Sequence, residues 1–327
     1  MNREQAFHES NFRAMNTNVQ VCLESSGERQ YQEVSIIEEV KSWFASTEQR
    51  FGRFLDDSEL SYVNSHSGKT TLISSAMTEV LSLAEMYHVH TKGIFQCLIL
   101  NALRSAGYTR SFEQLNGVTP ARLEPSDAPP GHFTLDRIMK SVQLSPGSQI
   151  DLGGIVKGWS VEKLSLWVRQ ERSIARGLLN AGGDLQVWGG YTHDEPWLIG
   201  IASPHDPDAE AAQIELVDGA VATSSVLGRS WKSEWGKMHH LIDPRTMRPG
   251  ASDIIQCSIV GDSVIECEVW AKVACILGST ETVPLLQAKI PHCDALFFTS
   301  TGDVHFVGNR KRYDQQWQGV AADFFHV

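Results

Sequence analysis

Between residues 184 and 261 the chain presents one short strand-like run after another, among them LQVWG, WLIGIA and IIQCSIV, with no helical pattern between them. This grouping constrains the fold more than any other feature. Strands gathered in one stretch and helices in others indicate an α+β architecture, whereas a doubly wound parallel sheet would alternate them. The flanking segments agree. Residues 16 to 24, NTNVQVCLE, alternate polar and apolar as a half-buried strand does, and 31 to 48 carry helical spacing through Val34, Ile37, Val40 and Phe44. A second helix is predicted over 76 to 92 through Met77, Val80, Leu81, Leu83, Ala84 and Tyr87, and the Pro-, Gly- and Asp-rich stretch 110 to 132 reads as a connecting loop. Strand signals follow at 133 to 144, then a helix near 157 to 170, an apolar helix at 266 to 277 and two strands around 294 to 308. No repeat, heptad array or low-complexity segment interrupts this order.

A chain of 327 residues with 42% apolar residues can bury a full core, in about two domains or one large one. The formal charge of −11 argues against a nucleic-acid or anionic-membrane binder, which would present a basic face, and leaves small molecules or proteins as partners. The six cysteines (Cys22, Cys97, Cys257, Cys267, Cys275 and Cys293) lie scattered without a CxxC or a Cys/His cluster, so the sequence suggests neither zinc nor a disulfide framework. The first residues, MNREQAFHESNFRAMN, show no signal-peptide core or lipid-attachment cysteine, and no apolar run approaches the ~18 residues of a membrane span. A cytoplasmic location is the expectation.

Chemistry concentrates at DLGGIVKG, residues 151 to 158, ahead of the helix-like WSVEKLSLWV. Paired glycines let a backbone approach a ligand closely, and a helix starting there would aim free N–H groups and Lys157 at a phosphate. Taken alone, the segment is equally a glycine turn capped by Asp151 with a solvated Lys157. It lacks the serine or threonine of a Walker loop and does not have GxGxxG spacing.

Further segments join it. In chain order they read MNT (15 to 17), GRFLDDSELSYVN (52 to 64), GIFQ (93 to 96), DLGGIVKGWSVE (151 to 162), NAGGD (180 to 184), ATSS (222 to 225), HHLIDPRTMRP (239 to 249) and EVWAKVACILG (268 to 278). This succession resembles the ApbE family, whose corresponding segments are similar to MGT, SRF..DSELSRLN, GAFD, DLGGIAKGYAVD, NAGGD, ATSG, HHILDPRTGRP and DALATALFVLG. The resemblance implies a T-fold-related architecture of largely antiparallel sheets with packed helices. It also implies one domain over 1 to 327, or two subdomains around a central FAD groove. The implied activity is transfer of the FMN half of FAD to a serine or threonine hydroxyl of an acceptor flavoprotein, with AMP as leaving group.

By position, Met15, Phe54, the Ile94-Phe95-Gln96 turn, Asp151, Lys157 and Ile242 match the family's FAD contacts. Phe54 stands where relatives stack an aromatic on the cofactor, although a core aromatic would fit the same pattern. Lys157 would meet the pyrophosphate as a point cation. His240 occupies the position of the base that takes the acceptor's proton. Its alternative role is packing beside the Asp243-Pro244 turn, and Asp243 and Arg245 read as turn-forming.

The departures fall on the magnesium site. Relatives use an aspartate and, four residues later, a threonine on the late helix; here these are Glu268 and Lys272. Gln96 replaces a carboxylate, and Ala271 stands where some relatives carry a further aspartate. Glu268 and the Gly154 carbonyl remain as metal ligands, and lysine offers no oxygen, so magnesium binding is expected to be weak or absent. Lys272 either forms an ordinary helix-surface pair with Glu268 or stands against the FAD pyrophosphate in place of the ion. Three readings of function follow: an FMN transferase with altered metal dependence, a non-catalytic FAD binder that stores, delivers or senses flavin, and an FAD pyrophosphatase.

Overall fold

The computed structural model describes residues 7–25, 30–115, 117–119, 131–206 and 208–327. Its centre is a nine-stranded sheet whose spatial order follows the chain: Phe7–Ala14, Thr17–Glu24, Gly177–Ala181, Asp184–Trp188, Gly219–Ser225, Ile254–Gly261, Asp294–Thr299, Val304–Val307 and Phe324–His326. Every neighbouring pair is antiparallel except the last. Two of its hairpins turn in two residues. Met15 and Asn16 join the first pair and Gly182 and Gly183 the third and fourth strands, and all four residues have positive φ. Two-residue loops with both φ positive match the right-handed twist of the strands they connect. Gly182 supplies this conformation freely, whereas Met15 is held in it against its Cβ.

The sheet is covered on both faces. On one face lie helices Gln30–Phe51, Val156–Gln170 and Val264–Leu277, and on the other a three-stranded sheet of Trp197–Ala202, Glu210–Leu216 and Trp317–Gln318. Alternate residues serve the two cores. Ala220 and Ala222 face the helices while Val221 faces the small sheet, and Cys257 and Ile259 divide from Val260 in the same way. IIQCSIV therefore carries apolar residues on both faces, because both are buried, with Gln256 and Ser258 buried among them. The described helices also exclude one interpretation: none is long and apolar enough to cross a membrane.

The architecture is α+β with mainly antiparallel sheets, as the grouping of strand and helix signals predicts. The strand expected over 16 to 24 runs Thr17–Glu24, and the helices expected at 76 to 92 and 266 to 277 run Ser75–His90 and Val264–Leu277. The strand signal at 133 to 144 divides into Phe133–Asp136 and Ser141–Leu144. Of the connecting stretch 110 to 132, residues 116 and 120–130 lie outside the described residues. Periodicity gave no warning of strand Phe7–Ala14, whose residues alternate weakly, nor of helix Ser279–Lys289, which contains Pro284.

Helix Val264–Leu277 is the axis of the packing, with eleven of its fourteen residues buried. It begins where Ser263 accepts a hydrogen bond from the Glu266 N–H, an N-cap that satisfies one free amide. Helix Val156–Gln170 crosses it so closely at Gly158 that an added Cβ would lie 2.7 Å from Glu268 Oε2 and 3.2 Å from the Val264 carbonyl. Alanine favours a helix interior over glycine by about 1 kcal/mol, yet here the two helices would have to separate. Gly158→Ala is expected to destabilise the protein by about 1–3 kcal/mol in a urea melt, the usual range for overpacking. A stabilised variant would show that the two helices can move apart.

Candidate functional site

A cleft of about 380 Å³ opens beside this helix crossing. Its wall combines the Met15-Asn16 hairpin tip, the Phe51–Leu55 segment after the first helix, the Ile94-Phe95-Gln96 turn, the 151–154 loop, Arg229, the His240–Ile242 segment and one side of helix Val264–Leu277. Met15, Phe54, Ile94, Phe95, Gln96, Asp151, Gly154, His240, Ile242 and Lys272 all line it, although they come from six separate parts of the sequence. Lys157 and Glu268 do not. The structure puts both behind the wall.

At the aromatic end, Phe54 and Tyr108 lie 5.8 Å apart, ring centre to ring centre. The Arg53 guanidinium sits over both, 4.4 Å from the Phe54 ring and 4.1 Å from that of Tyr108, a cation–π arrangement. Arg53 Nε pairs with Asp151 at 3.2 Å, while Arg53 Nη1 is buried with no hydrogen-bond partner among the described residues. Asp151 also accepts the Gly153 N–H, so it caps the glycine turn and orients Arg53 together. Sequence reading passed over Arg53 and Tyr108. The Arg53 signal was present, since this arginine stands inside the GRFLDDSELSYVN segment.

The polar end rests on a buried ionic network. Lys157 donates to Asp184 and, at 2.7 Å, to Glu268 Oε1; Lys272 donates to the same oxygen at 2.9 Å; and the Gly158 N–H donates to Glu268 Oε2 at 2.8 Å. Burial alone would raise the Glu268 pKa, but Lys157 and Lys272 outweigh it and hold the carboxyl at about 2. Burial likewise pulls Lys157 down, and Asp184 and Glu268 return it to about 12. Burial raises Asp184 against the pull of Lys157 and lowers Lys272 against the pull of Glu268.

The expectation for Lys157 changes here. Lys157 is neither solvated nor directed at the cleft, because two buried carboxylates take its ammonium. The helix that begins at Val156 also uses amides internally, the Val156 N–H on the Leu152 carbonyl and the Gly158 N–H on Glu268. The two positions named as metal ligands, Glu268 and Gly154, are both obstructed. Both Glu268 oxygens already accept N–H groups, and a Cβ on Gly154 would touch the Lys272 alkyl chain at 3.4 Å, so that chain fills the gap between the glycine loop and the helix. Magnesium requires several free oxygens in near-octahedral array, and these residues do not fit it.

His240 stands on the cleft wall with Nδ1 buried and without a partner among the described residues. Burial, followed by the charges of Arg229 and Lys272, holds its pKa well below the ordinary histidine value, leaving a neutral imidazole at pH 7. His239 is structural. Its Nδ1 accepts the Leu241 N–H, which leaves Nε2 to donate to the Gly250 carbonyl at 2.9 Å. Arg245 bonds Asp243 and Glu281, closing the turn. Away from the cleft, folding brings Cys293 to Glu266 and His292, a grouping that cysteine spacing did not disclose; a 2.8 Å contact joins His292 and Glu266.

An α+β fold carrying this cleft, with aromatic rings at one end, Arg229 and Lys272 at the other and a neutral imidazole between chain segments, defines a protein equipped to hold an anionic small molecule. A model of the ApbE family matches residues 15–297, and the chain belongs to that family. It is 24% identical over 257 residues to the FAD:protein FMN transferase of Salmonella typhimurium, covering 76% of this chain and 71% of the relative. With the Klebsiella pneumoniae FAD:protein FMN transferase it shares 26% identity over 177 residues, a match spanning about half of each chain (54%). Among solved structures, the ApbE protein of Thermotoga maritima superposes with a TM-score of 0.82 at 22% identity, over 91% of this chain and 96% of that one. The apo Pseudomonas stutzeri flavinyl transferase ApbE gives 0.80 at 18% identity, over 98% and 100%.

The network makes its own prediction. Replacing Glu268 with glutamine leaves two buried ammonium groups facing one remaining carboxylate, so Glu268→Gln is expected to cost about 3–5 kcal/mol in chemical denaturation. Adding Lys272→Met should return part of that loss. Additive single-variant effects would mean that the two side chains do not interact.

Proposed function

We propose that this chain is an FAD:protein FMN transferase, acting on a serine or threonine hydroxyl of an acceptor protein. The observation that carries the reading is the neutral His240 imidazole, its Nδ1 without a partner among the described residues, on the wall of a cleft that also holds Arg53, Arg229 and Lys272. The names carried by its relatives support the same chemistry. In this reading Phe54 and Tyr108 supply the aromatic surface for the isoalloxazine ring, and Met15, Ile94, Phe95, Gln96, Asp151 and Ile242 shape the groove around the rest of FAD. The whole chain acts as one domain.

The step is a displacement at phosphorus. The acceptor hydroxyl oxygen attacks the phosphorus of the FMN half, His240 takes the hydroxyl proton, and the bond from that phosphorus to the bridging oxygen breaks, so AMP leaves with the bridging oxygen. Arg229 and Lys272 offset the charge that builds on the pyrophosphate oxygens. No step requires a metal ion, consistent with a donor set that does not fit one.

Incubating the protein with FAD and a serine- or threonine-containing acceptor tests the reading through AMP release and a covalently fluorescent acceptor band. His240→Ala should lower transfer by about 10²–10⁴-fold, the range for a lost general base, and leave FAD affinity within about twofold. AMP without a labelled acceptor would identify a pyrophosphatase, and tight FAD binding with neither product a flavin-binding protein. Calorimetry should also show FAD bound more tightly than FMN, because FMN lacks the second phosphate that the cleft's cations meet.

The pH profile carries a signed prediction. A base works as the neutral imidazole, and His240 is held below the ordinary histidine value, so it stays neutral while exposed histidines protonate. The acid limb of the transfer rate is expected below about pH 6.5, the unperturbed value. An acid limb at or above that value would assign the proton transfer to another group.

A further inference from the structure

We propose that Lys272 is a built-in cation that serves the pyrophosphate in place of a divalent ion, and that this chain binds and transfers flavin without metal. The inference rests on the reading of the cleft as an FAD site. Its geometry is independent of that reading.

Lys272 belongs to two environments. Its side chain lines the cleft, while its ammonium is anchored to Glu268 Oε1 at 2.9 Å and approaches the Glu268 carbonyl at 3.4 Å. An ammonium has three donors, and both of these contacts lie on its own helix, so one donor remains for a group in the cleft. The helix is buried on nearly every side, and the anchoring carboxylate is fixed in turn by Lys157 and the Gly158 N–H. The charge is therefore held in place before any ligand arrives, which lowers the cost of ordering it on binding.

Charge balance leads to the same conclusion. Lys157 and Lys272 face Asp184 and Glu268, two cations against two anions in a volume from which water is largely excluded. A divalent ion at Glu268 would add two positive charges to a network already neutral and would compete with the N–H donors that its carboxylate oxygens already accept. The Lys272 alkyl chain also stands in the gap toward Gly154. Gln96, also in the cleft wall, turns its side-chain oxygen to the Leu98 N–H at 3.0 Å and carries no charge that would attract a divalent ion.

The test has a metal arm and a lysine arm. Titrating magnesium chloride into ligand-free and FAD-loaded wild-type protein should give no saturable heat, and FAD affinity and transfer rate should agree within about twofold between excess EDTA and excess magnesium. A one-to-one magnesium isotherm, or a loss of more than about tenfold in EDTA, overturns the proposal and leaves FMN transfer standing as a metal-dependent reaction. In the lysine arm, Lys272→Met should weaken FAD binding by about ten- to a hundredfold while riboflavin, which has no phosphate, binds as before. Unchanged FAD affinity, or an equal loss for riboflavin, overturns the assignment. Lys272→Thr with Glu268→Asp is expected to gain a magnesium isotherm that the wild type lacks. If a Lys272 variant does not fold, the metal arm on wild-type protein still decides, and failure of wild-type protein to bind FAD under any condition brings down the functional reading itself.

Discussion

Glu268, buried with both carboxylate oxygens committed, is the constraint around which the site is organised. An isolated carboxylate in that position would lose the solvation of water and gain nothing in return, so the fold must bring donors to it. Three arrive from two helices: the Lys157 ammonium, the Gly158 amide and the Lys272 ammonium. That requirement fixes the distance between helices Val156–Gln170 and Val264–Leu277. It also explains why Gly158 has no side chain at their crossing, and it sets where Lys272 stands in the cleft wall. Asp184, at the start of the strand after the Gly182-Gly183 turn, ties the central sheet into the same network through Lys157.

The cleft inherits its electrostatics from this arrangement. Lys272 is anchored rather than free, and its charge, together with that of Arg229, acts on His240 after burial has already disfavoured the imidazolium. A base that stays neutral and a cation that stays fixed are complementary parts of a displacement at phosphorus. In the proposed transfer the first would accept the hydroxyl proton, and the second would meet developing charge without reorganising. At the far end Arg53, held by Asp151 against Phe54 and Tyr108, brings a donor that has no partner among the described residues. A flavin combines a flat aromatic system with carbonyl groups and a pyrophosphate, and each end of the cleft answers one part of that description.

The sequence by itself determined the class of fold, the family and many of the residues around the cleft, though not Arg53, Tyr108 or Arg229. Local patterns sufficed for several of the elements, because the alternation of Thr17–Glu24 and the apolar run of the late helix are set by which side chains must be buried. Paired glycines announced tight turns for conformational reasons that are also local. Family segments carried Met15, Phe54, Gln96, His240 and Lys272 to one cleft although no spacing rule connects them. Tertiary structure alone decided which charges meet. Lys157 and Glu268 lie 111 positions apart, and Lys157 looks like a solvated or phosphate-facing lysine until the fold places two carboxylates on it. The same holds for Arg53 over Tyr108, and for strand Phe7–Ala14, whose main-chain pairing with Thr17–Glu24 brings Phe12 and Ala14 to the core. Ion pairing and strand pairing depend on distance in space, and that information is absent from local periodicity.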